Sequence, residues 1–267
     1  MFTEKEVKVG YYGIPGSYSH QACINNFPAG HYRGLVKFSD ILNYVYKAEV
    51  DFAIVPIENS TAGRVAEIYN LLPMIDLHIV GEYLMPIHHS LMIPSGAFRG
   101  RLPKEMSPEE ALAWKNAPLS EDEKQEALQT ITEVQSHPQA LMQCATYLNE
   151  NLPRAKTTEM FDTATAARAL AKEKTAKVAA VASSQAAEIY NMLILDEKIE
   201  DNQNNMTRFL ILSREPLRES ETSAPAITTI LFQTAHKPGS LLKALETFAK
   251  YGINLTKLET YMVSQEK

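Results

Sequence analysis

Residues Val7–Ser19 read VKVGYYGIPGSYS and contain the first strand-to-helix junction of the chain. Val7–Tyr12 has the apolar composition of a buried strand, and Gly13 ends it. A helix is predicted to begin near Ser17 or Tyr18, where the free N–H groups of a first turn favour anions. The glycines of the loop let its backbone approach a ligand closely. The junction predicts either a ligand-binding loop or a tight turn with a serine cap, and the segment alone leaves both open.

Strands and helices alternate along most of the remaining chain. We predict strands at Asp51–Val55, Leu77–Leu84, His89–Ile93, Ile131–Gln135, Thr158–Phe161, Val178–Ala182 and Arg208–Leu212. We predict helices at Val65–Leu72, Pro138–Leu148, Thr163–Lys172 and Ser184–Met192, with one or two peripheral helices within residues 95–130. This alternation is typical of an α/β fold whose sheet contains parallel strand pairs.

The composition is that of a globular chain and argues against several kinds of function. The 267 residues are 45% hydrophobic, and their formal charge of −6 argues against a nucleic-acid surface, which relies on clustered Lys and Arg. Cys23 and Cys144 form neither a disulfide framework nor a zinc motif. No run approaches the roughly 18 apolar residues of a membrane span, and Met1–Val9 lacks an apolar signal core. We expect a cytoplasmic protein that binds neither nucleic acid nor membrane.

The end of the chain is predicted to form a separate unit. Arg214–Pro225 is polar and contains two prolines, which is typical of a linker. A strand at Ile227–Thr234, a helix at Ser240–Tyr251 and a strand at Ile253–Tyr261 are predicted after it. This β-α-β unit is shorter than the about 50 residues of an independent domain. We expect it to pack on a partner or to be part of a longer unit.

Three polar segments are candidates for a binding site. Asn59, Ser60 and Thr61 follow a predicted strand, at the edge where open α/β sheets place ligands. They could bind a carboxylate or hydroxyl group, or simply cap the next helix. Phe161–Ala167 repeats the arrangement at a second junction. Asp162 or Thr163 is a natural helix cap there, and the small residues could equally let a substrate sit against the start of the helix.

Asp201–Phe209 is the most informative of the three segments. Its amide and acid side chains precede a strand that carries Thr207 and Arg208. An arginine can hold a carboxylate through two hydrogen bonds, and a threonine hydroxyl can donate to a leaving oxygen. The alternative is an exposed turn before an edge strand. His88 and His89 lack metal-ligand spacing, and no metal site is predicted.

These segments, in this order, resemble the motifs of the prephenate dehydratase family. The resemblance is carried by Gly13–Ala22, Val55–Ser60 with Gly63 and Val65, Ser136–Leu141 with Gln143 and Cys144, Asp162–Ala164 with Ala166 and Ala167, and Asn204–Phe209. It implies a two-lobed α/β catalytic domain, like a type II periplasmic binding protein, over residues 1–213. Lobe 1 would take residues 1–85 and 184–213, lobe 2 residues 86–183, and residues 214–225 would form the linker.

The resemblance also implies an activity and a set of site residues. The activity is that of a carbon–oxygen lyase, which converts prephenate to phenylpyruvate in L-phenylalanine biosynthesis without a cofactor or metal. Thr207 is the implied catalytic residue. The implied substrate-binding residues are Ser17, Asn59, Ser60, Thr163, Thr165 and Arg208. A structural role for Arg208 is the alternative. Rival functions are arogenate dehydratase, which eliminates from the amino analogue, and a non-catalytic intracellular sensor of small acids or amino acids.

Residues 226–267 resemble the beginning of an ACT domain, an α+β regulatory unit of ferredoxin-like fold. His236–Leu241 resembles its ligand-binding turn and Gly252–Glu259 its second strand. The resemblance implies allosteric binding of L-phenylalanine at Gly239, Ser240, Leu241 and Asn254, and assembly as a homodimer or homotetramer. At Thr260–Met262 the chain departs from the family's Ser-Arg-Pro, which puts feedback by phenylalanine in doubt.

Overall fold

The computed structural model describes residues 6–98, 107, 119–173, 175–217 and 227–260. The chain divides into two compact units, Met1–Ser223 and Ala224–Lys267. Most of the helical segment expected within residues 95–130 and part of the expected linker, residues 218–225, lie outside the described residues, as do Tyr261 and Met262.

The larger unit alternates strands and helices, as the sequence predicts. Its strands are β1 (Lys8–Tyr12), β2 (His31–Leu35), β3 (Phe52–Asn59), β4 (Gly63–Arg64), β5 (His78–Pro86), β6 (Ser90–Pro94), β7 (Glu133–Ser136), β8 (Lys156–Glu159), β9 (Val178–Ala182), β10 (Met192–Glu197) and β11 (Met206–Ser213). Its α-helices are α1 (Tyr18–Asn26), α2 (Phe38–Tyr46), α3 (Ala66–Leu71), α4 (Ser95–Phe98), α5 (Glu121–Thr130), α6 (Pro138–Gln143), α7 (Ala145–Asn151), α8 (Thr163–Leu170) and α9 (Ser184–Tyr190). A 3₁₀ turn at Leu72–Met74 follows α3.

Two mixed sheets define two lobes. Sheet 1 has the order β2-β1-β3-β11-β5, with β4 beside β3, and forms lobe 1. Within it β1 runs parallel to β2 and β3, whereas β11 runs antiparallel to β3 and β5. Sheet 2 has the order β10-β6-β9-β7-β8 and forms lobe 2. The α/β prediction with parallel pairs is therefore confirmed in both lobes.

Side chains alternate along β11 between the two faces of sheet 1. Phe209 and Ile211 are buried in the core that also holds Cys23 of α1. Leu210 and Leu212 are buried in the core on the opposite face, with the apolar side of α2. A strand buried on both faces is why this segment is an almost unbroken apolar run.

Helices begin directly after strands because side chains cap their first turns. The Ser17 hydroxyl accepts from the His20 N–H over 3.3 Å at the start of α1. Asp162 and Ser183 cap α8 and α9 in the same way. The predicted cap roles at Ser17 and Asp162 are therefore present in the structure.

The chain passes from lobe 1 to lobe 2 between β5 and β6 and returns between β10 and β11. The first passage agrees with the boundary predicted near Pro86. The return predicted near Ser183 is wrong, because β10 pairs with β6 and α9 packs in the lobe 2 core through Ala186 and Ala187. Residues 184–197 therefore belong to lobe 2.

The two passages between the lobes are bonded to each other. The Ile87 N–H donates to the Asn205 carbonyl over 2.8 Å, and the Ile199 N–H donates to the His89 carbonyl over 3.0 Å. The buried Glu200 carboxylate accepts from the His89 N–H over 2.8 Å and contacts the His88 ring over 2.7 Å. These bonds join the interlobe segments into one hinge.

The smaller unit, within residues 227–260, has one helix, α10 (Ser240–Lys250), which confirms the helix predicted there. The strands predicted at Ile227–Thr234 and Ile253–Tyr261 are not formed in this described part. A strand requires a neighbour for its backbone N–H and C=O groups, and neither segment pairs with another in this range. Apolar side chains such as Leu242 and Tyr251 are exposed as a result.

Candidate active site

The site is built where the ends of β3 and β11 meet. Asn59 and Thr207 are direct partners in the antiparallel pairing of these strands. The Asn59 side-chain amide lies 2.9 Å from the Thr207 hydroxyl oxygen. Both side chains are half-buried. The two residues that the sequence assigned to one site, from segments far apart in the chain, are therefore in contact.

The orientation of the Asn59 amide is fixed by the turn that follows β3. Its carbonyl oxygen accepts from the backbone N–H groups of Thr61, over 3.0 Å, and Ala62, over 2.8 Å. Because a backbone N–H can only donate, the amide nitrogen must face Thr207, and its two hydrogens serve the Thr207 hydroxyl, the Asn205 oxygen and the Met206 carbonyl. Within the described residues the bond from Asn59 is the one hydrogen bond of the Thr207 hydroxyl, so its own proton is available to donate elsewhere.

Thr61 and Asn205 extend this contact into a network. The Thr61 hydroxyl lies 2.7 Å from the Asn59 carbonyl oxygen and 3.0 Å from that of the buried Asn205. The Asn59 amide nitrogen also donates to the Asn205 oxygen over 2.8 Å. Gln143 of lobe 2 joins the network, because its amide nitrogen donates to the Thr61 hydroxyl over 2.7 Å. The network therefore connects the two lobes.

Behind Gln143 lie a histidine and a tyrosine. The His89 Nε2 atom is 2.8 Å from the Gln143 carbonyl oxygen, and the His89 Nδ1 atom is 2.6 Å from the Tyr18 hydroxyl. Burial lowers the pKa of His89, and burial raises the pKa of Tyr18 well above its ordinary value. Both side chains are therefore neutral near pH 7, and the network from Tyr18 to Thr207 carries no net charge.

The loop after β1 forms a further part of the wall and is held by lobe 2. The Ser183 hydroxyl donates to the Gly16 carbonyl over 2.7 Å, and the Tyr190 hydroxyl donates to the Pro15 carbonyl over 2.7 Å. Gly16 has a φ of +87°, and a Cβ atom there would lie 3.0 Å from the Ala186 Cα. A glycine is needed at this contact because the loop backbone approaches α9 so closely. Ser17, buried, caps α1 beside it.

Thr163 and Thr165 lie at the start of α8. Thr163 is buried, and the Thr165 hydroxyl contacts the Asp162 carboxylate over 2.9 Å. The pKa of Tyr12, at the end of β1, is raised by burial first and also by the charges of Glu67 and Asp162. The start of α8 therefore lies within electrostatic reach of the end of β1, across the space between the lobes.

Ser60 and Arg208 are engaged by neighbouring protein groups. The Ser60 hydroxyl accepts from the Met206 N–H over 2.9 Å and donates to the Asn204 carbonyl over 3.3 Å. Arg208 follows Thr207 on β11 and so points to the opposite face of the sheet. There its guanidinium pairs with the Glu82 carboxylate of β5, with an Nε–Oε2 distance of 2.9 Å. The contact supports the structural role that the sequence left open for Arg208.

The sequence interpretation missed the polar residues that support Asn59 and Thr207. Gln143 and Asn205 lay inside motifs that were recognised, but their side chains were given no role, and Thr61 was considered only as a binding or capping residue. His89 was set aside because its spacing suits no metal site, although a buried histidine also bonds to neutral partners. Such partners come from distant parts of the chain, and only the fold brings them together.

A cavity of about 260 Å³ lies on the Gln143 side of the network. Its lining residues are Thr61, Met142, Gln143, Glu200, Asp201, Asn202 and Asn205. The carboxylates of Glu200 and Asp201 make this cavity unfavourable for an anion. Among the described residues, no group of three or more His, Cys, Asp or Glu side chains could hold a metal ion. None of the described helices has the length and apolar character of a membrane span.

Known proteins match this chain over the same residues. The family profile described as prephenate dehydratase matches residues 9–217. A chloroplastic arogenate dehydratase/prephenate dehydratase of Arabidopsis thaliana is 37% identical over 257 residues, which cover 96% of this chain and 57% of that protein. The chain spans between 53% and 62% of the length of the first curated relatives that it matches.

Two solved structures resemble the fold. Prephenate dehydratase from Arthrobacter aurescens, in complex with L-Phe, has a TM-score of 0.73 and 25% identity, and the match covers 95% of this chain and 75% of that one. A protein described as GqqA, a quorum-quenching acylase, has a TM-score of 0.73 and 28% identity, with 97% and 83% covered. The profile match covers most of the larger unit, including both lobes and the Asn59–Thr207 contact. The chain therefore belongs to the prephenate dehydratase family.

Proposed function

We propose that this chain catalyses the decarboxylating dehydration of prephenate to phenylpyruvate, a step of L-phenylalanine biosynthesis. The observation that carries the proposal is the Asn59–Thr207 hydrogen bond of 2.9 Å, in which Thr207 accepts. Because the Asn59 amide nitrogen is the donor, the Thr207 proton is left for the leaving hydroxyl group of a substrate. A hydroxyl aimed in this way suits a reaction that expels hydroxide.

The reaction itself needs positioning more than a strong acid. The bond between the ring carbon and its carboxylate breaks, and its electron pair enters the ring. The C4–O bond then releases hydroxide, which takes up one proton to become water, while the carboxylate leaves as carbon dioxide. Formation of an aromatic ring drives the step. A threonine is a poor acid, so Thr207 acts by donating a hydrogen bond to the oxygen on which charge develops.

Neutral donors suit the ring carboxylate of the substrate. A tight ion pair would stabilise the carboxylate in the ground state and oppose its loss. The Thr163 hydroxyl supplies such a donor at the first turn of α8, where the helix dipole favours anions. The Asn59 amide and the Ser17 N–H already donate to protein oxygens, the latter to the Ile14 carbonyl over 3.1 Å.

Three residues that the resemblance implied for substrate binding have supporting roles in this proposal. The Ser60 hydroxyl holds the junction of β3 and β11, and Thr165 bonds to the cap of its own helix. Arg208 stabilises the β11–β5 pair through Glu82. None of the three needs to touch the substrate for the mechanism to work.

Arogenate is the rival substrate, because it undergoes the same elimination and differs only in an amino group on the side chain. The acylase activity described for one structural neighbour is not carried over. Covalent acyl transfer uses a serine or cysteine activated by a base, whereas the network here ends at a threonine that accepts from an amide. A non-catalytic sensor with the same fold would bind the substrate and release no product.

We also propose that residues 226–267 are part of a regulatory ACT unit that binds L-phenylalanine at Gly239, Ser240, Leu241 and Asn254. The exposed apolar side chains around α10 support packing of this unit on a further chain, in a homodimer or homotetramer. The L-Phe complex of the Arthrobacter aurescens protein supports the choice of ligand. Titration of L-phenylalanine against activity tests this, and an unchanged rate at saturating concentration would contradict it.

Purified protein with prephenate or arogenate tests the main proposal. Release of phenylpyruvate from prephenate, at equal rates with and without a chelator, is the expected result. Phenylalanine formed from arogenate with a higher kcat/KM would make arogenate the substrate. Binding of either compound without product would make the chain a sensor.

A further inference from the structure

The hydrogen bonds behind Thr207 all have an assignable direction. The orientation of the Asn59 amide is fixed by two backbone N–H groups, so the Thr61 hydroxyl, 2.7 Å from the same carbonyl oxygen, donates to it. The Thr61 oxygen is then the acceptor for Gln143, whose amide nitrogen lies 2.7 Å away. The Gln143 carbonyl oxygen consequently points the other way.

The direction continues into His89. The Gln143 carbonyl oxygen can only accept, so the His89 Nε2 atom at 2.8 Å carries a proton. In a neutral imidazole the Nδ1 atom is then an acceptor; it lies 2.6 Å from the Tyr18 hydroxyl, whose one proton is shared with the His88 carbonyl at 2.8 Å. The buried carboxylate of Glu200 holds the His89 backbone N–H over 2.8 Å, which fixes the ring's point of attachment.

The result is a chain of donors that runs one way and ends at the reacting hydroxyl. Its members, in order of donation, are His89, Gln143, Thr61, Asn59 and Thr207. Hydrogen bonds aligned in one direction polarise one another, so each acceptor becomes a better donor. Loss of a bond in the chain would weaken the donors that follow it, while main-chain N–H groups keep the Asn59 amide in place.

We propose that His89 is a positioning residue, which orients the Gln143 amide and so supports the donors that end at Thr207. The inference rests on the proposed dehydratase function. His89 lies on the first passage between the lobes, and its side chain is 2% exposed, so it acts through Gln143 and not on the substrate. Loss of its Nε2–H would leave the Gln143 carbonyl oxygen with only the longer contact from the Asn205 amide nitrogen, at 3.3 Å, and would loosen the Gln143–Thr61 bond that follows.

Two substitutions of His89 separate positioning from a merely structural role. In H89Q the side-chain amide nitrogen can take the place of Nε2 and donate to Gln143. In H89N the amide occupies the place of Nδ1 and reaches Tyr18 instead. We expect H89Q to keep kcat within about threefold, and H89N to lower kcat by at least about tenfold with KM changed less than about threefold.

Removal of Gln143 provides the control for the path. In a Gln143→Ala background, H89N should cause no further loss of kcat, because the two residues act in series. A loss of the same size in both backgrounds, or a fully active H89N, would overturn the inference. Imidazole ¹⁵N chemical shifts of the wild-type protein give a test without a variant. The neutral Nε2–H form is expected, and a proton on Nδ1 alone would also overturn it.

The outcome for the proposed function is read separately. If the wild-type protein turns over neither prephenate nor arogenate, the dehydratase proposal fails and the role of His89 fails with it. If the wild-type protein is active and the His89 variants do not differ, only the positioning role fails.

Discussion

Asn59 donates to Thr207 over 2.9 Å from the directly opposite position on the neighbouring strand. The bond does two things at once, because it places the hydroxyl at the strand end and decides which way its proton points. The main-chain pairing of β3 with β11 therefore sets the distance between the Asn59 and Thr207 side chains.

Substitution of Thr207 tests the donor directly. Thr207→Val keeps the shape and removes the hydroxyl, so kcat should fall by at least about 100-fold, the usual effect of losing one donor to a developing oxyanion. Thr207→Ser keeps the hydroxyl and should retain kcat within about tenfold. Steady-state kinetics on both variants is the measurement, and a Val variant that matched the Ser variant would remove Thr207 from the mechanism.

Asn59→Asp removes the donor of three contacts. The carboxylate can still accept from the N–H groups of Thr61 and Ala62, but it cannot donate to Thr207, Asn205 or Met206. The Thr207 proton should then turn toward the carboxylate, and kcat should fall by about 100-fold, with a loss of stability because the Asn205 and Met206 oxygens lose their donor. A rate within threefold of wild type would show that the direction of the Asn59–Thr207 bond is unimportant.

Arg208 should matter for stability and not for substrate binding. Its pair with Glu82 is partly exposed, with side chains 22% and 30% accessible, and such pairs contribute about 0–1 kcal/mol. Arg208→Gln should leave KM within twofold of wild type. Arg208→Gln and Glu82→Gln should each lower the free energy of unfolding, measured with denaturant, by the same small amount. A tenfold rise in KM for the arginine variant alone would return Arg208 to the substrate site.

Gly16→Ala should weaken the contact between the first loop and lobe 2. Both Gly16 and Gly63 have positive φ angles, +87° and +79°, so an alanine at either position adds backbone strain of about 1–2 kcal/mol. At Gly16 the new Cβ would also lie 3.0 Å from the Ala186 Cα, whereas nothing lies within 4 Å at Gly63. Overpacking should cost about 1–3 kcal/mol more in the Gly16 variant. Equal unfolding free energies for the two variants would contradict the close approach.

The buried His89 should make stability depend on pH. Because burial lowers its pKa in the folded state, the unfolded chain binds more protons in the interval below about pH 6.5, the ordinary histidine value. The free energy of unfolding should therefore be highest above that value and fall as the pH drops toward the lowered folded-state pKa.

A comparison with H89Q isolates this contribution. His20, whose pKa is also lowered by burial, is present in both proteins, so its contribution cancels in the difference. The wild-type curve should be steeper than that of H89Q between pH 6.5 and 5 by at most about 1.4 kcal/mol per pH unit. Parallel curves would mean that His89 is not desolvated.

Local sequence rules located most of the larger unit. The junctions at Ser17 and Asp162 were predictable because a glycine loop or a short capping side chain follows a strand and precedes a helix. The return of the chain to lobe 1 was misplaced because β10 is held by its pairing with β6, residues far apart in sequence. Strand partners of this kind leave no local pattern.

The candidate site also contains residues that the sequence could predict and residues that it could not. Asn59 and Thr207 were predictable from the polar residues at strand ends, since those ends meet in an α/β sheet. Arg208, adjacent to Thr207, was assigned to the substrate because the sequence does not show which face of the sheet its side chain lies on. Its partner Glu82 comes from the neighbouring strand β5, which only the fold reveals. His89 could not be found because its role depends on Tyr18 and Gln143, one from each lobe.

Because β11 lies between β3 and β5, the two lobes of the larger unit are completed in a fixed order during synthesis. Lobe 2 is continuous in the chain and can fold while it emerges from the ribosome. Within the described residues, β5 meets the rest of its sheet only through β11, so it waits without a neighbour until the last strand arrives. A nascent chain that ends before β11 leaves the facing edges of β3 and β5 open, and open sheet edges favour aggregation and degradation. Thr207, the proposed donor, lies on the same strand that closes the gap, so the proposed site and the lobe are completed together.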